Sequence, residues 1–424
     1  MKKIIFIVLI PIFFLAACSI TSKISNRNIA DIYHNETTFL HPQYVVYHAS
    51  DSVSKLYFKV KTSELLYARE IGNPMSTYES RIKISYQLLT GYSSKTVIDS
   101  SSILISDSIK NTEIIGHLAI KIPFGKNYIL QIELSDLNKH TSLTSFVDVY
   151  KMNHFNEQNF LVCEKNTEIP LFRNYLQNNE SITIETNHAD CKTIYARYYN
   201  RDFPIAAPPY AVVMEKPFRY EADSSFTILQ NNNGSFSFTA TKFTNGFYNF
   251  LIDTTKKFGL TLFEFGNDFP QLTTINKLLE PLRYICTKEE YKELSTEKDT
   301  KKAVDSFWLQ LAGNKDRAKE IISKYYNRVQ DANEFFTSYL EGWKTDRGMI
   351  YILYGQPNVV YRTENTENWV YGEENNLMSL TFSFAKITNP FSQNDFKLDR
   401  SSVYKNTWFN TVDFWREGRV YLGN

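Results

Sequence analysis

The stretch RIKISYQLL, residues 81–89, alternates polar and apolar side chains over most of its length. A period of two residues is typical of a β-strand with one buried face. The same alternation recurs in YILQIEL, residues 128–134, and further strand-like runs surround both stretches. We count about seven strands and no helix between residues 39 and 152. This region is therefore predicted to form an antiparallel, immunoglobulin-like β-sandwich.

A second region, residues 153–270, has the same character. It contains strand-like runs such as SITIET (181–186) and FGLTLFEF (258–265), and the turn sequence Asn232-Asn233-Gly234. We predict a second β-sandwich here.

From residue 271 onward the apolar spacing becomes helical. Residues 315–341 carry an apolar residue at every third or fourth position, which predicts an amphipathic helix. Further helices are predicted at 275–284 and 288–311, and strands at 349–355 (MIYILYG), 368–372 and 377–385. Residues 271–424 are therefore predicted to be an α+β domain. The fold class is mainly β with a C-terminal α+β domain.

Residues 341–357 read EGWKTDRGMIYILYGQP. This stretch resembles the signature of the GWxTD family, found mainly in envelope lipoproteins of Bacteroidetes. The resemblance covers about residues 305–385, and it implies a GWxTD domain over 271–424. It implies no biochemical activity, because the family carries none that can be transferred.

The motif has two interpretations, and both remain open at this point. In the first it is a structural corner, in which Gly342 ends a helix with a left-handed turn and Gly348 opens the strand 349–355. In the second it is a partner-binding surface rich in aromatic and arginine side chains. The candidate partner-binding residues are Trp308, Arg328, Trp343, Thr345, Asp346 and Arg347.

The N-terminus has the pattern of an export signal. Two lysines precede an apolar run over residues 4–14, and Leu15-Ala16-Ala17-Cys18 resembles a bacterial lipobox. We predict a signal peptide over 1–18, acylation of Cys18, and a flexible tether over 19–38; an ordinary signal peptide is the alternative. No later segment is apolar for long enough to span a membrane. Because no acidic run follows the cysteine, we expect the outer membrane, facing the periplasm.

Three other cysteines are present. Cys163 and Cys191 fall in one predicted β domain, and an oxidising periplasm would permit a disulfide between them. Three buried free thiols, Cys286 included, are the alternative.

Several kinds of chemistry have no support in the sequence. The chain has 47 basic and 46 acidic residues, so no nucleic-acid partner is expected. HExxH, CxxC and GxGxxG patterns are absent, so we predict no metal, no cofactor and no catalytic residue. All seven histidines lie at or before His188, which excludes a histidine-based triad within the last domain.

Two alternatives involve sugars. A carboxylate-based hydrolase could use Glu334, Glu341 and Asp346, although acidic side chains on a helix are usually only solvated. A glycan or peptidoglycan binder could use aromatic side chains of the second sandwich, unless these belong to its core. The candidates are Tyr195, Tyr198, Tyr199, Phe236 and Phe238.

These observations favour a non-enzymatic envelope lipoprotein. We expect a docking or scaffold subunit of an outer-membrane assembly, export or transport complex. An acyl chain would anchor it to the membrane, and an envelope protein would be its partner.

Overall fold

The computed structural model describes residues 27–33, 39–69, 77–110, 112–201, 203–214, 218–240, 246–374, 376 and 378–420. These residues form five antiparallel sheets, and the α-helices are concentrated toward the C-terminus. The predicted fold class is confirmed. In the described part of the chain, no helix combines the length and the apolarity needed to cross a membrane. The predicted signal peptide, Cys18 and residues 19–26 lie outside the described residues.

The first sandwich contains seven strands. They are β1 (Gln43–His48), β2 (Val53–Lys61), β3 (Ser80–Leu89), β4 (Val97–Asp107), β5 (Glu113–Lys121), β6 (Asn127–Asp136) and β7 (Thr141–Tyr150). The sheet β1-β2-β5 faces the sheet β4-β3-β6-β7 across one core. Ile82 and Ile84 are fully buried in that core, as the alternation in RIKISYQLL predicts.

The second sandwich also contains seven strands. They are β8 (Phe160–Glu164), β9 (Ser181–Thr186), β10 (Thr193–Tyr199), β11 (Ser224–Leu229), β12 (Phe236–Thr239), β13 (Gly246–Leu251) and β14 (Leu260–Glu264). The sheets are β12-β9-β8 and β11-β10-β13-β14. Every residue of β13 and β14 is buried, because an aromatic cluster that includes Phe391 of the C-terminal domain covers the outer face of this sheet.

The C-terminal domain combines helices with a four-stranded sheet. The helices are α1 (Ile275–Leu279), α2 (Lys288–Thr296), α3 (Thr300–Ala312), α4 (Lys315–Phe336), α5 (Asp346–Tyr354) and α6 (Lys405–Arg416). The strands β15 (Val359–Arg362), β16 (Thr366–Tyr371), β17 (Leu380–Lys386) and β18 (Phe396–Leu398) pair in sequence order. As its position suggests, Asn314 caps α4 by accepting a hydrogen bond from the backbone N–H of Arg317.

Three element predictions are wrong in this domain. The helix predicted over 288–311 is divided into α2 and α3, because the Asp299 side chain accepts from the Lys302 N–H and starts a new helix. The run MIYILYG lies in helix α5 rather than in a strand, because residues 347–354 are all buried and no polar stripe reveals the helical period. Helix α4 ends at Phe336, five residues early, and Gly342 instead starts a short 3-10 helix, Gly342–Lys344. The Thr337 hydroxyl donates to the Asn333 carbonyl (2.6 Å), and this side-chain bond takes the place of a further helical turn.

The segment 27–33 does not form the flexible tether expected for residues 19–38. It contains a 3-10 helix, Ala30–Tyr33, and its side chains Ile29, Ala30 and Tyr33 are buried in the core of the C-terminal domain. Apolar side chains compensate there for the entropy lost on ordering the chain. We call residues 27–33 the N-terminal segment.

Candidate functional site

The candidate site starts from residues 342–346, which we call the GWKTD corner. The corner lies between α4 and α5 and approaches the backbone of α4 closely. A Cβ atom on Gly342 would lie 1.8 Å from the Ala332 carbonyl oxygen, and one on Gly348 would lie 2.0 Å from the Gly342 carbonyl oxygen. Both positions therefore need glycine for space, and not for the left-handed turn expected at Gly342.

Polar side chains hold the corner in place. The Thr345 hydroxyl donates to the Gly342 carbonyl (2.7 Å) and accepts from the Gly348 N–H (3.0 Å), so it caps α5. The Asn333 side chain accepts from the Trp343 N–H (3.1 Å) and donates to the Pro270 carbonyl (3.0 Å). The corner thus joins α4, α5 and the end of the second sandwich.

Trp343 is part of the interior. It is only 2% exposed, and its carbonyl accepts a hydrogen bond from the Tyr284 hydroxyl (2.9 Å). Trp308 is fully buried as well, with its indole N–H 3.4 Å from the Tyr326 hydroxyl. Neither indole is presented to a partner in this structure.

Asp346 connects three parts of the molecule. Its carboxylate pairs with Arg400 (2.9 Å to Nη1) and accepts from the Leu398 N–H (2.8 Å). Arg400 also donates to the Ala207 carbonyl (3.2 Å), which belongs to the second sandwich. The negative charge lies at the N-terminus of α5, where it stabilises the helix dipole.

The loop that Arg400 contacts crosses the corner, and we call residues 203–214 the strap. The Ala206 N–H donates to the Lys344 carbonyl (2.9 Å), and the Ser401 N–H donates to the Pro209 carbonyl (3.0 Å). The Tyr210 and Phe409 rings lie 5.6 Å apart. The strap therefore covers the corner and extends onto the start of α6.

Beyond these contacts the strap ends in an exposed apolar tip. Val212 is 98% exposed and Met214 is 91% exposed. Val403 and Phe409, which lie beside the contacts made by Pro209 and Tyr210, are also exposed. We call Val212, Val213 and Met214 the strap tip.

Arg347 forms a buried ion pair on the other side of α5. It lies 3.2 Å from Glu367, and the two side chains are 2% and 0% exposed. The guanidinium group also donates to the Asn394 carbonyl (3.0 Å) and lies over the Phe396 ring. A buried charge is tolerated only when it is paired and hydrogen-bonded in this way.

Glu367 receives further donors. The Tyr33 hydroxyl (2.5 Å) and the Trp369 indole N–H (2.6 Å) both donate to its Oε1 atom. Burial, and then the negative charge of Glu367, raise the pKa of Tyr33 well above its ordinary value. The phenol of Tyr33 therefore stays neutral and donates its hydrogen bond to the Glu367 side chain.

The expected charged cluster of Arg328, Asp346 and Arg347 beside the two tryptophans does not form. Arg328 donates to the Ile352 and Leu353 carbonyls at the end of α5 (3.2 and 3.3 Å), whereas Asp346 and Arg347 bind separate partners. The three side chains therefore lie around α5 with separate partners.

The carboxylates considered for hydrolysis also have separate roles. Glu341 pairs with Lys344, and Asp346 pairs with Arg400. Burial raises the pKa of Glu157 to about 7 and that of Asp395 to about 6, but the charges that act on them differ. The charges of Lys386 and Asp148 act on the pKa of Glu157, whereas those of Arg347 and Asp346 act on the pKa of Asp395. The two carboxyls therefore have separate electrostatic surroundings. In the described part of the chain, no cluster of three or more potential metal ligands is present.

The proposed disulfide is not formed. Cys163 and Cys191 are both free and buried, and they belong to different apolar clusters. Burial raises the pKa of the Cys163 thiol to about 12, which leaves it protonated and unreactive at neutral pH.

The aromatic side chains considered for sugar binding divide into two groups. Tyr198, Tyr199, Phe236 and Phe238 are buried in the second sandwich or under the C-terminal domain. Tyr195 is 36% exposed. It lines a cavity of about 570 Å³ together with residues 187–193 and Ile252.

The motif marks the position of the corner in the sequence but gives no sign of the corner's distant partners. Arg400, the strap and Tyr33 carried no motif. The sequence did contain a signal for Glu367. It precedes Trp369 and Tyr371 at a spacing of two residues, which places all three side chains on the same buried face of β16.

Residues 246–417 match the family model described as the GWxTD domain. The chain therefore contains a GWxTD domain, which begins at β13 inside the second sandwich and includes the corner, the buried ion pair and α6. No curated protein matches the chain. A solved structure described as "Crystal structure of CBD12 from CALX1.2" is similar over 60% of this chain and 90% of that one, at 11% identity. Its TM-score is 0.16, so the likeness carries no argument.

Proposed function

We propose that the protein is a non-enzymatic envelope lipoprotein that docks a protein partner. It would serve as a scaffold subunit of an outer-membrane assembly, export or transport complex. The observation that carries this proposal is the strap tip, where Val212 and Met214 are almost wholly exposed. Clustered apolar side chains on an ordered surface mark interaction sites more often than chance exposure does.

The strap is suited to present this tip. Three prolines, at 204, 208 and 209, restrict its backbone, and hydrogen bonds to Lys344 and Ser401 fix its course. A preorganised loop loses little conformational entropy when a partner binds. The partner chemistry that fits the tip is an apolar protein surface, with Val403 and Phe409 extending the contact.

The GWKTD corner would contribute to docking indirectly. Trp343, Arg347 and Trp308 are buried, so they support the strap and do not touch the partner. The corner residue Lys344 and the pair Asp346–Arg400 hold the strap through its backbone. In this proposal the strap tip contacts the partner, and the corner holds the strap in position.

The anchor is proposed from the lipobox alone. Cleavage before Cys18 and acylation of its thiol would attach the protein to the periplasmic face of the outer membrane, since a multiply acylated chain needs no spanning helix. Cys18→Ser should abolish labelling with a radioactive fatty acid and release the protein from the membrane fraction. Retained label would contradict this part of the proposal.

Docking can be tested by crosslinking in the producing cells. The double variant Val212→Asp, Met214→Asp should lose the partner set recovered with wild type. Ile109→Asp is the matched control, because Ile109 is 76% exposed on the first sandwich. Partners that survive the double variant, or that are lost equally with the control, would refute docking at the tip.

A glycan-binding role is the second candidate, favoured by the cavity beside Tyr195. Half-exposed aromatic rings stack on sugars, and Asp190, Lys192 and Thr193 supply polar groups around this ring. Binding to peptidoglycan fragments should be saturable and should be lost in Tyr195→Ala but retained in Val212→Asp, Met214→Asp. Equal binding by both variants would remove this candidate.

A further inference from the structure

The N-terminal segment makes contacts of the kind that a bound peptide makes. Its Ile29 N–H donates to the Val360 carbonyl (3.0 Å) on β15, an edge strand of the C-terminal sheet. The Asn28 side chain donates to the Asn358 carbonyl (3.2 Å) and accepts from the Val360 N–H (3.0 Å). Addition of an extended segment to a free sheet edge is a recurring mode of peptide recognition.

Tyr33 is the anchor of this segment. It is 4% exposed, and its ring lies 5.1–5.4 Å from those of Phe335, Phe336 and Trp369. Its hydroxyl donates to Glu367 (2.5 Å), and its carbonyl accepts from the Tyr351 hydroxyl (3.2 Å). An aromatic side chain in a desolvated pocket with one charged acceptor has the features of a binding hot spot.

The pocket and its occupant come from different parts of the chain. Every residue named above as a contact of Tyr33 lies within the matched GWxTD domain, residues 246–417, whereas Tyr33 lies more than 200 positions earlier. Without the segment, the Arg347–Glu367 pair would border an open cavity. The domain is therefore complete only with a ligand from outside itself.

We propose that the GWxTD domain of this protein is a peptide-binding module, and that its resident ligand is the chain's own N-terminal segment, residues 27–33. One backbone hydrogen bond from Ile29 and two bonds of the Asn28 side chain hold the segment at the edge of the sheet, and the pocket around Glu367 selects tyrosine. Arg27 adds a contact to the first sandwich, where its guanidinium group donates to Gln131 (2.7 Å). The occupied groove thus ties the N-terminus to two domains.

The docked segment has a consequence for the anchor, which rests on the proposed acylation of Cys18. Only residues 19–26 separate Cys18 from Arg27. Eight residues span at most about 28 Å when fully extended. The junction of the GWxTD domain with the first sandwich would therefore stay close to the membrane surface. Binding of the segment does not itself depend on acylation, so the two ideas can fail separately.

The test uses the full-length chain with a specific protease site placed within residues 34–38, between the segment and the first sandwich. After cleavage, the N-terminal piece should co-elute with the folded remainder and dissociate from it slowly under native conditions. A labelled peptide of residues 25–35 should then exchange into the cut protein in a saturable manner. It should not bind the uncut chain, whose groove is occupied.

Peptide variants make the test specific. The Tyr33→Phe peptide should bind about 10-fold more weakly, because the buried hydrogen bond to Glu367 is lost. The Tyr33→Ala peptide should bind at least about 100-fold more weakly, because the ring contacts are lost as well. A peptide in which Ile32 and Tyr33 are exchanged has the same composition and serves as the control; it should bind as weakly as Tyr33→Ala.

Three results would overturn the proposal. The cut piece could leave a folded remainder, which would show that the contact has no affinity of its own. Cleavage could unfold the domain, which would make the segment a part of the core and not a ligand. The chain could elute as a dimer that exchanges segments, which would assign the groove to a second copy.

Discussion

Hydrogen bonds hold Ala206 and Ala207 of the strap at the GWKTD corner, yet the corner and the strap tip differ completely in exposure. Trp343 of the corner is 2% exposed, while Val212 of the tip is 98% exposed. The corner carries the motif by which the domain is recognised, and the tip carries no motif. A recognisable motif here marks what the fold requires, whereas the proposed docking surface needs only exposure and a fixed course of the backbone.

The largest expected effect comes from adding one carbon at the corner. Gly342→Ala places a Cβ atom 1.8 Å from a backbone oxygen of α4, so the two helices must separate. We expect a loss of more than about 4 kcal/mol in the free energy of unfolding, or no folded protein, by urea denaturation. Gly91→Ala is the control, since nothing lies within 4 Å of its added Cβ atom. A stable Gly342→Ala protein would break the contrast between the two regions.

The buried ion pair beside the corner should be nearly as sensitive. Arg347→Met removes the nearer cation of the buried Glu367 and leaves Arg362, 3.6 Å away, as its remaining ion-pair partner, so we expect a loss of about 3 kcal/mol in the free energy of unfolding. Adding Glu367→Gln should recover part of this loss, because an amide needs no cation. The exposed pair Arg81–Glu79 is the comparison, and Arg81→Met should cost less than about 1 kcal/mol. Equal costs for the two arginines would contradict the assigned role of burial.

A buried acid near the corner should make the stability of the protein depend on pH. Burial raises the folded-state pKa of Asp395, which lies near Arg347 and Asp346, from 3.8 to about 6. The folded state therefore favours the protonated acid, and the free energy of unfolding falls as pH rises from about 4 to 6. Relative to wild type, Asp395→Asn should gain about 2 kcal/mol across this window and then level off.

Asp253→Asn is the comparison, because the contribution of Asp253 to the free energy of unfolding should change with pH in the opposite direction. Hydrogen bonds from Thr255 lower the pKa of this exposed carboxyl, so its contribution is lost as pH falls. Parallel pH profiles of the two variants, followed by thermal denaturation, would contradict the assignment of Asp395. The wild-type strap tip contains no titratable side chain. Aspartates placed at its exposed positions should have nearly the same pKa in the folded and unfolded states, so the tip variants should follow the wild-type profile.

A smaller effect is expected where the corner meets the strap. The Asp346–Arg400 pair is 11% and 13% exposed, and a double-mutant cycle to alanine should give a coupling energy of about 1–2 kcal/mol. The exposed pair Lys301–Asp305 should couple by less than about 0.5 kcal/mol. Arg400→Ala should also speed proteolysis within residues 203–214, because Ala207 loses a partner. An unchanged rate of cleavage would show that the corner does not hold the strap in place.

The smallest effect on stability is expected at the tip. Val212→Asp with Met214→Asp should change the free energy of unfolding by less than about 0.5 kcal/mol, because the side chains make few contacts. The same variant is expected to lose the partner in cells. Destabilisation comparable to that of the corner variants would show that the tip is part of the folded core.

Much of the fold could be predicted from local patterns. The alternation in β3 and the apolar stripe of α4 each extend over several periods, and both elements form where expected. Helix α5 could not be recognised, because burial on all sides removes the polar face that defines a period. The end of α4 depended on hydroxyl and amide contacts of Thr337 and Asn333 to residues further along the chain.

Only part of the candidate site could be predicted from the sequence. The motif located the corner, but it could not show that Asp346 pairs with Arg400, 54 positions later, or that Glu367 accepts from Tyr33, 334 positions earlier. The exposure of the strap tip was equally hidden, since AVVM, residues 211–214, has the composition of a buried strand.

The sequence by itself determined the two sandwiches, the long helix α4 and the position of the GWxTD motif, because periodicity and capping act over a few neighbouring residues. Only the tertiary structure decided that the motif is interior, that the strap covers it and that residues 27–33 occupy the domain. These outcomes depend on which apolar and charged groups are removed from water together, and those groups come from opposite ends of the chain.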